Sequence, residues 1–157
     1  MKRSPALSAN SERIDPFLVA FGGSFTSALR WPQLDALWER VREHADAGWY
    51  LYAVGEPPPV APSEAAQVLA FVAELDTLLR AEHPHDYCGI VYADDLDEPT
   101  LIKIYDPHNL GVSCGFSTNP PLPGWVMSRI PPCDLPASRA APNNRRRWWR
   151  RRFASRP

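Results

Sequence analysis

With 157 residues, the chain is long enough for one domain with its own core, and three cysteines without a CxxC pair argue against a disulfide framework. No apolar run approaches the ~18 residues of a membrane span, and the N-terminus lacks the apolar stretch of a secretory signal. These features predict a cytoplasmic protein with reduced thiols and no transmembrane segment.

The formal net charge of −1 hides an uneven distribution. All 18 acidic residues lie at or before Asp134, so the chain up to Ser138 carries −9, whereas the remainder holds eight arginines and no acidic residue. This division is typical of an acidic body with a basic tail. We therefore predict a mobile arm at 1–16, a single domain at 17–138 and a basic tail at 139–157.

Apolar periodicity predicts two helices in the first half of the chain. Residues 17–21 form a short apolar run that fits either a strand or a docked segment. Residues 32–47 carry apolar side chains at helical spacing, and the aromatic and aliphatic residues at 49–54 predict a strand. Residues 63–82 predict a second helix with Ser63 as its N-cap. Its apolar face consists of Val68, Leu69, Val72, Leu75, Leu78 and Leu79.

The second half of the chain predicts strands. Residues 87–93 are apolar on both faces, which indicates a central strand, and the β-branched residues at 100–105 should pair with it as a hairpin. Residues 110–116 and 125–128 predict two further strands. The expected fold is α+β, with two helices packed on one face of a mostly antiparallel sheet of four to five strands, a Pro-rich loop segment and a disordered basic tail.

The four residues Cys114-Gly115-Phe116-Ser117 are similar to the active-site signature of monothiol glutaredoxins. In that family the cysteine opens a helix, whose N-terminus lowers the pKa of the thiol. Here residues 118–124 contain three prolines and cannot continue as a helix. The resemblance is confined to these four residues, so the sequence does not predict the glutaredoxin fold.

Cys114 is still a candidate nucleophile. A thiolate needs a base within hydrogen-bond reach, which His108 or His85 would supply with Asp106 orienting its ring. The alternative is a turn built from Asp106, Pro107 and His108 that leads into a strand with a buried cysteine.

Three residues close in sequence, His83, His85 and Cys88, are candidate zinc ligands, with Cys114 or His108 as the fourth. Their H-x-H-x2-C spacing is not a standard structural-zinc pattern. The alternative places His83 at the end of the second helix and packs Cys88 in the central strand.

The basic tail predicts binding to a polyanion. Its arginines would release counterions from a phosphate backbone, and its tryptophans would stack on bases or lie at a membrane interface. The residues concerned are Arg145, Arg146, Arg147, Trp148, Trp149, Arg150, Arg151 and Arg152. The alternative is a disordered extension with non-specific attraction to anions.

The leading hypothesis is a small accessory protein without catalytic activity that binds another protein and needs no cofactor. Its binding surface would be the aromatic, Pro-rich segment after the hairpin, with Phe116, Trp125, Tyr105 and Asn109 as contact residues. In the alternative arrangement, that segment folds back over the sheet and buries Trp125. A thiol-dependent enzyme using Cys114, and nucleic-acid or anionic-membrane binding through the tail, are the other two functions considered.

Overall fold

The computed structural model describes residues 15–108, 122–135 and 143–153. Within these ranges the chain forms four helices and one five-stranded antiparallel sheet with the strand order β1-β3-β4-β5-β2. The elements, in chain order, are α1 (Pro16–Phe21), β1 (Thr26–Ser27), α2 (Trp31–Glu43), β2 (Tyr50–Ala53), α3 (Ala65–Glu82), β3 (Val91–Ala93), β4 (Leu101–Ile104), β5 (Trp125–Ser128) and α4 (Asn143–Arg152). The predicted α+β class is confirmed.

The predicted hairpin is present as β3 and β4, with Val91 opposite Ile104. Its turn is the acidic run, and the carboxylates there are structural. Asp94 accepts hydrogen bonds from the backbone N–H groups of Thr100 and Leu101 at 2.9 and 3.1 Å. Asp95 accepts two more from the residues that follow it. The acidic run is therefore a hydrogen-bonded turn, as expected from the preference of aspartate for such positions.

The helix boundaries differ from the predicted ones in three places. The segment at 17–21 is the short helix α1, because Asp15 accepts a hydrogen bond from the Phe17 N–H and a proline occupies the first helical position. Helix α2 ends at Glu43, four residues early. Helix α3 has Glu64 as its N-cap, without a side-chain hydrogen bond, so the prediction for Ser63 was wrong. The Ser63 N–H instead donates to the Trp49 carbonyl.

Both faces of the sheet are covered. Helices α2 and α3 pack on one face, where the core includes Trp38, Phe71, Leu75, Ile102 and Met127. Because side chains alternate along a strand, the neighbouring residues point to the other face. There a smaller core contains Phe17, Tyr52, Leu101, Val126 and Leu135, contributed by α1, the sheet and the segment after β5. The apolar face predicted for the second helix is thus buried at four of its six positions, while Leu69 remains 42% exposed.

Helix α4 adds a third helix to the first face. Trp149 and Phe153 belong to the main core, and both rings contact Phe71. The expectation of a disordered tail is therefore not confirmed for residues 143–153. The strand predicted at 110–116 and nearly all of the predicted N-terminal arm lie outside the described residues. None of the described helices is long and apolar enough to cross a membrane.

Candidate functional site

A cluster of three charged side chains, Arg145, Glu82 and Asp106, holds α4 against the rest of the domain. The Arg145 guanidinium donates to both carboxylate oxygens of Asp106 at 3.0 Å. It also donates to both oxygens of Glu82, at 2.6 and 3.1 Å. The Arg145 side chain is 7% exposed and that of Asp106 only 4%, so this ion pair lies in the protein interior. Arginine suits such a site because its planar donors match a carboxylate in two places at once.

We call Arg145 with its two carboxylate partners, Glu82 and Asp106, the Arg145 clamp. Each of the two carboxylates lies at or just after the end of a helix or strand. Glu82 is the last residue of α3, where the helix dipole favours a cation nearby. Asp106 follows β4, and its Oδ1 accepts a hydrogen bond from the His108 N–H at 2.9 Å. Gly124 approaches Asp106 so closely that a Cβ there would lie 3.0 Å from the Asp106 Cβ. A larger residue at position 124 would therefore displace Asp106 and disturb the clamp.

The electrostatics of the clamp keep Arg145 charged. Burial alone lowers the pKa of the Arg145 guanidinium, but the hydrogen bonds and charges of Glu82 and Asp106 outweigh it. The pKa of Arg145 is therefore raised above its ordinary value. A buried charge of this kind is stable only while its partners stay in place.

Further along α4, two more acidic residues and two aromatic rings hold the helix. The Trp148 indole donates to Glu74 at 2.6 Å, and Arg152 pairs with the same carboxylate. Arg150 pairs with Glu56 through two hydrogen bonds of 2.9 and 3.1 Å. The Trp148 ring also contacts the rings of Phe71 and Trp125. We call the residues that receive α4 the α4-binding surface: Glu56, Phe71, Glu74, Glu82, Asp106 and Trp125.

The interface between α3 and α4 is not closed along its whole length. An open groove of about 540 Å³ remains between the two helices. Its α3 side carries the small residues Ala73, Thr77 and Ala81, and its α4 side carries Arg145 and Trp148. Helix α4 therefore packs into the core through Trp149 and Phe153, while an open groove remains beside Arg145 and Trp148.

The structure brings together the residues of the predicted polyanion site, but many of their side chains contact the body of the protein and are not exposed to solvent. Arg145, Arg150 and Arg152 are paired with carboxylates of the body. Trp149 is buried, so its ring is not free to stack on a base in this arrangement. Arg146 is half-buried, while Arg147 and Arg151 are exposed and make no ion pair within the described residues.

The predicted thiol site is described only in part. Cys114 lies outside the described residues. Both oxygens of Asp106 accept hydrogen bonds from Arg145, and Oδ1 also accepts one from the backbone of His108. Asp106 therefore holds α4 in place, a role that differs from the expected orientation of a histidine base.

The candidate zinc ligands occupy neighbouring positions with different surroundings. The rings of His83 and His85 lie 4.5 Å apart, and the His83 Nε2–H donates to the Cys88 carbonyl at 2.9 Å. The Cys88 side chain is buried, and burial raises the pKa of its thiol. Among residues 15–108, 122–135 and 143–153, no group of three or more histidine, cysteine or acidic side chains is arranged to hold a metal ion.

The predicted partner surface is only partly described. Trp125 is 3% exposed because it lies in the core beneath α4, so it does not form an exposed aromatic ridge. Tyr105 is half-buried against Tyr92. Phe116 and Asn109 lie outside the described residues. Trp125 is buried, as in the alternative considered from the sequence, but it is a residue of β5 covered by α4. Most of the Pro-rich segment that was expected to fold over it lies outside the described residues.

One signal in the sequence indicated the α4 interface. Arg145, Trp149 and Phe153 are spaced four residues apart, which places them on one face of a helix. All three are buried. Their acidic partners, such as Glu82 and Asp106, carried no comparable signal because they are far away in sequence.

Comparisons with protein-family models, with curated proteins and with solved structures found no match to this chain.

Proposed function

We propose that this protein is a non-catalytic protein-binding module, and that the α4-binding surface takes a basic amphipathic helix carrying aromatic residues. In the free chain, its own α4 occupies that surface. The observation that carries the proposal is the Arg145 clamp, a buried guanidinium held by two carboxylates from separate elements. Such a site is selective for arginine in a partner peptide, because a lysine cannot bind two carboxylates with the same geometry.

The composition of α4 supports the idea that the surface recognises a pattern of charges and rings. Six of its ten residues are arginines. Arginines four residues apart, such as Arg147 and Arg151, repel each other along an isolated helix. Isolated helices of this length are also marginal in water. The body supplies carboxylates to three other arginines of the helix, Arg145, Arg150 and Arg152. The α4-binding surface therefore acts as the template on which a basic segment becomes helical.

The open groove supports exchange of the helix. Exposed ion pairs contribute at most about 1 kcal/mol each. In the Arg150–Glu56 pair the arginine is the exposed partner, since its side chain is 61% exposed. The clamp and the aromatic contacts supply the remaining affinity, and the groove beside Ala73 and Thr77 leaves space that α4 does not fill. A partner helix whose side chains fill that space would compete with α4.

The test is an exchange experiment on the full chain with a protease site inserted between residues 136 and 142. A fluorescent peptide with the sequence of residues 143–153 is added before and after cleavage, and its binding is followed by anisotropy. Before cleavage, α4 competes at the high effective concentration of a tethered segment, so the peptide should bind weakly. After cleavage, binding should tighten at least about tenfold and weaken with added salt.

A peptide with the Arg145→Lys change serves as the matched control, because it keeps the charge and loses the two-sided geometry. It should bind clearly more weakly than the parent peptide. Equal affinity of the two peptides would contradict recognition by the clamp. If cleavage left α4 unexchangeable, or if the body unfolded once α4 departed, α4 would be a fixed part of the core and the proposed function would be wrong.

A further inference from the structure

Helix α4 separates its aromatic side chains from its outward arginines. The aromatic face consists of Trp148, Trp149 and Phe153. All three rings contact the Phe71 ring of α3. Arg147 lies two residues before Trp149 and Arg151 two residues after it, which places both guanidinium groups on the opposite side of the helix. Both arginines are exposed, and α4 contains no acidic residue. Segments with this division of rings and cations are typical of helices that lie on anionic membrane surfaces.

The α4-binding surface has the chemistry of such a membrane surface. Its centre is aromatic, because Phe71 and Trp125 both contact the Trp148 ring. Carboxylates surround this centre and pair with three arginines of α4. An anionic bilayer likewise places negative headgroups around an apolar interior. The groups that hold α4 on the body are therefore the groups that a bilayer would engage.

The arrangement of the rings favours a membrane over a single-stranded nucleic acid. Bases stack on individual ring faces, and this mode of binding does not require the rings to share one side of a helix. In α4 the rings are gathered on one side and contact one another. The centroid of Phe153 lies 5.2 Å from that of Trp148 and 5.7 Å from that of Trp149. A compact aromatic face suits insertion into the bilayer interface better than stacking on successive bases.

We propose that α4 is a membrane-surface helix, which leaves the body and binds an anionic bilayer with its aromatic face in the interface. The body competes with the bilayer for the same side chains. In the docked state Trp149 is 3% exposed and Phe153 is 9% exposed, so neither ring can insert until α4 is released. The inference rests on the release of α4 that the proposed function also requires, and it needs no partner helix.

The charge of the body strengthens this competition. The chain up to Ser138 carries −9, so anionic lipids repel it. The positive charge that attracts lipid belongs to the segment that starts at Arg139. While α4 is docked, three of its arginines pair with carboxylates of the body. The docked chain should therefore bind vesicles weakly, and the apparent affinity should follow the fraction of molecules with α4 released.

The test measures binding of the full chain to vesicles of equal parts phosphatidylcholine and phosphatidylserine, by co-sedimentation at low ionic strength. The variant Glu56→Gln/Glu74→Gln removes the carboxylates that pair with Arg150 and Arg152, and it leaves α4 itself unchanged. Its affinity for the vesicles should rise about tenfold. In this variant, brominated lipid should also quench tryptophan fluorescence, because Trp148 and Trp149 enter the interface.

A matched control separates release of α4 from the change in net charge. Glu39→Gln/Glu98→Gln alters the charge by the same amount at two exposed positions that do not pair with α4 in the described part of the chain. Its affinity should stay close to that of the unmodified chain. Arg147→Gln and Arg151→Gln leave the ion pairs with the body intact. Each should keep the melting temperature and weaken vesicle binding about fivefold.

Three results would overturn the proposal. The first is equal affinity of the Glu56→Gln/Glu74→Gln variant and its control for the vesicles. The second is equal binding of the full chain to vesicles of phosphatidylcholine alone, and the third is tighter binding to a single-stranded oligonucleotide than to the anionic vesicles. Exchange of the α4 peptide without vesicle binding would contradict the membrane proposal alone. Vesicle binding without any preference for the parent peptide over its Arg145→Lys form would contradict the protein-binding proposal alone.

Discussion

Replacement of Arg145 by methionine tests how strongly the clamp holds α4. The substitution keeps an unbranched side chain and good helix propensity, and it removes the guanidinium from two carboxylates. Asp106 then remains buried, with its side chain 4% exposed, and has no cation. Breaking a buried pair in this way typically costs about 3–5 kcal/mol. The half-exposed Glu82 contributes little, because water screens its charge.

We therefore expect Arg145→Met to lower the free energy of unfolding by about 3 kcal/mol. This loss cannot exceed the free energy with which α4 docks on the body. If the docking of α4 stabilises the protein by less than an unpaired Asp106 destabilises it, α4 detaches from the body. The free energy of unfolding then falls only by the docking free energy. Urea unfolding of the full chain gives the total loss. Hydrogen exchange of the amides in α4, compared with those in β4, shows whether the helix has detached while the sheet stays protected.

Two further variants make the result interpretable. Arg147→Met removes an arginine from the exposed side of the same helix, where no ion pair is present within the described residues, and should change stability by less than about 0.5 kcal/mol. Adding Asp106→Asn to Arg145→Met removes the uncompensated charge and should recover part of the loss. A loss below about 1 kcal/mol for Arg145→Met would refute the reasoning, since the clamp would then be no stronger than a surface ion pair.

Two other predictions concern the body. Leu75→Ala should lower the free energy of unfolding, measured in urea, by about 2–5 kcal/mol, because Leu75 is fully buried. Leu69→Ala, at a position that is 42% exposed, should lower it clearly less. Equal losses would mean that the orientation of α3 is wrong. Burial, and the nearby charge of His85, lower the pKa of His83, so the unfolded chain takes up a proton at a higher pH than the folded chain. Stability should therefore fall as the pH decreases through about 6.5, and His83→Gln should flatten this dependence by up to about 1.4 kcal/mol per pH unit. An unchanged pH profile in the variant would contradict the assignment.

Local patterns in the sequence were sufficient for much of the fold. The apolar spacing of α3, the β-branched strand β4 and the turn residues between β3 and β4 each depend on neighbours within about one helical turn or one hairpin. Local chemistry was less decisive where two signals compete. Phe17 and its apolar neighbours fit a strand by composition, but Asp15 and Pro16 supply a helix start, and the segment folds as α1.

The candidate site was predictable only in its charge. The sequence alone determined that an acidic body precedes a basic tail, and on charge alone the acidic run at 94–98 would be an obvious partner for that tail. The carboxylates of Asp94 and Asp95, however, are engaged by backbone N–H groups of their own turn. The tail pairs instead with acidic residues that are spread over α3 and the segments after β2 and β4, so charge counts did not identify the contact.

The tertiary structure decided which residues meet. Arg145 lies 39 positions from Asp106 and 63 from Glu82, and the three converge because the fold brings the residues after β4 beside the end of α3. Periodicity specifies which side of an element is apolar, and it carries no information about the distance between two elements. The sequence by itself therefore determined helices α2 and α3, the hairpin and the division of charge. The clamp and the burial of Trp125 depended on the packing of the whole domain, because long-range contacts form only when all the elements are in place.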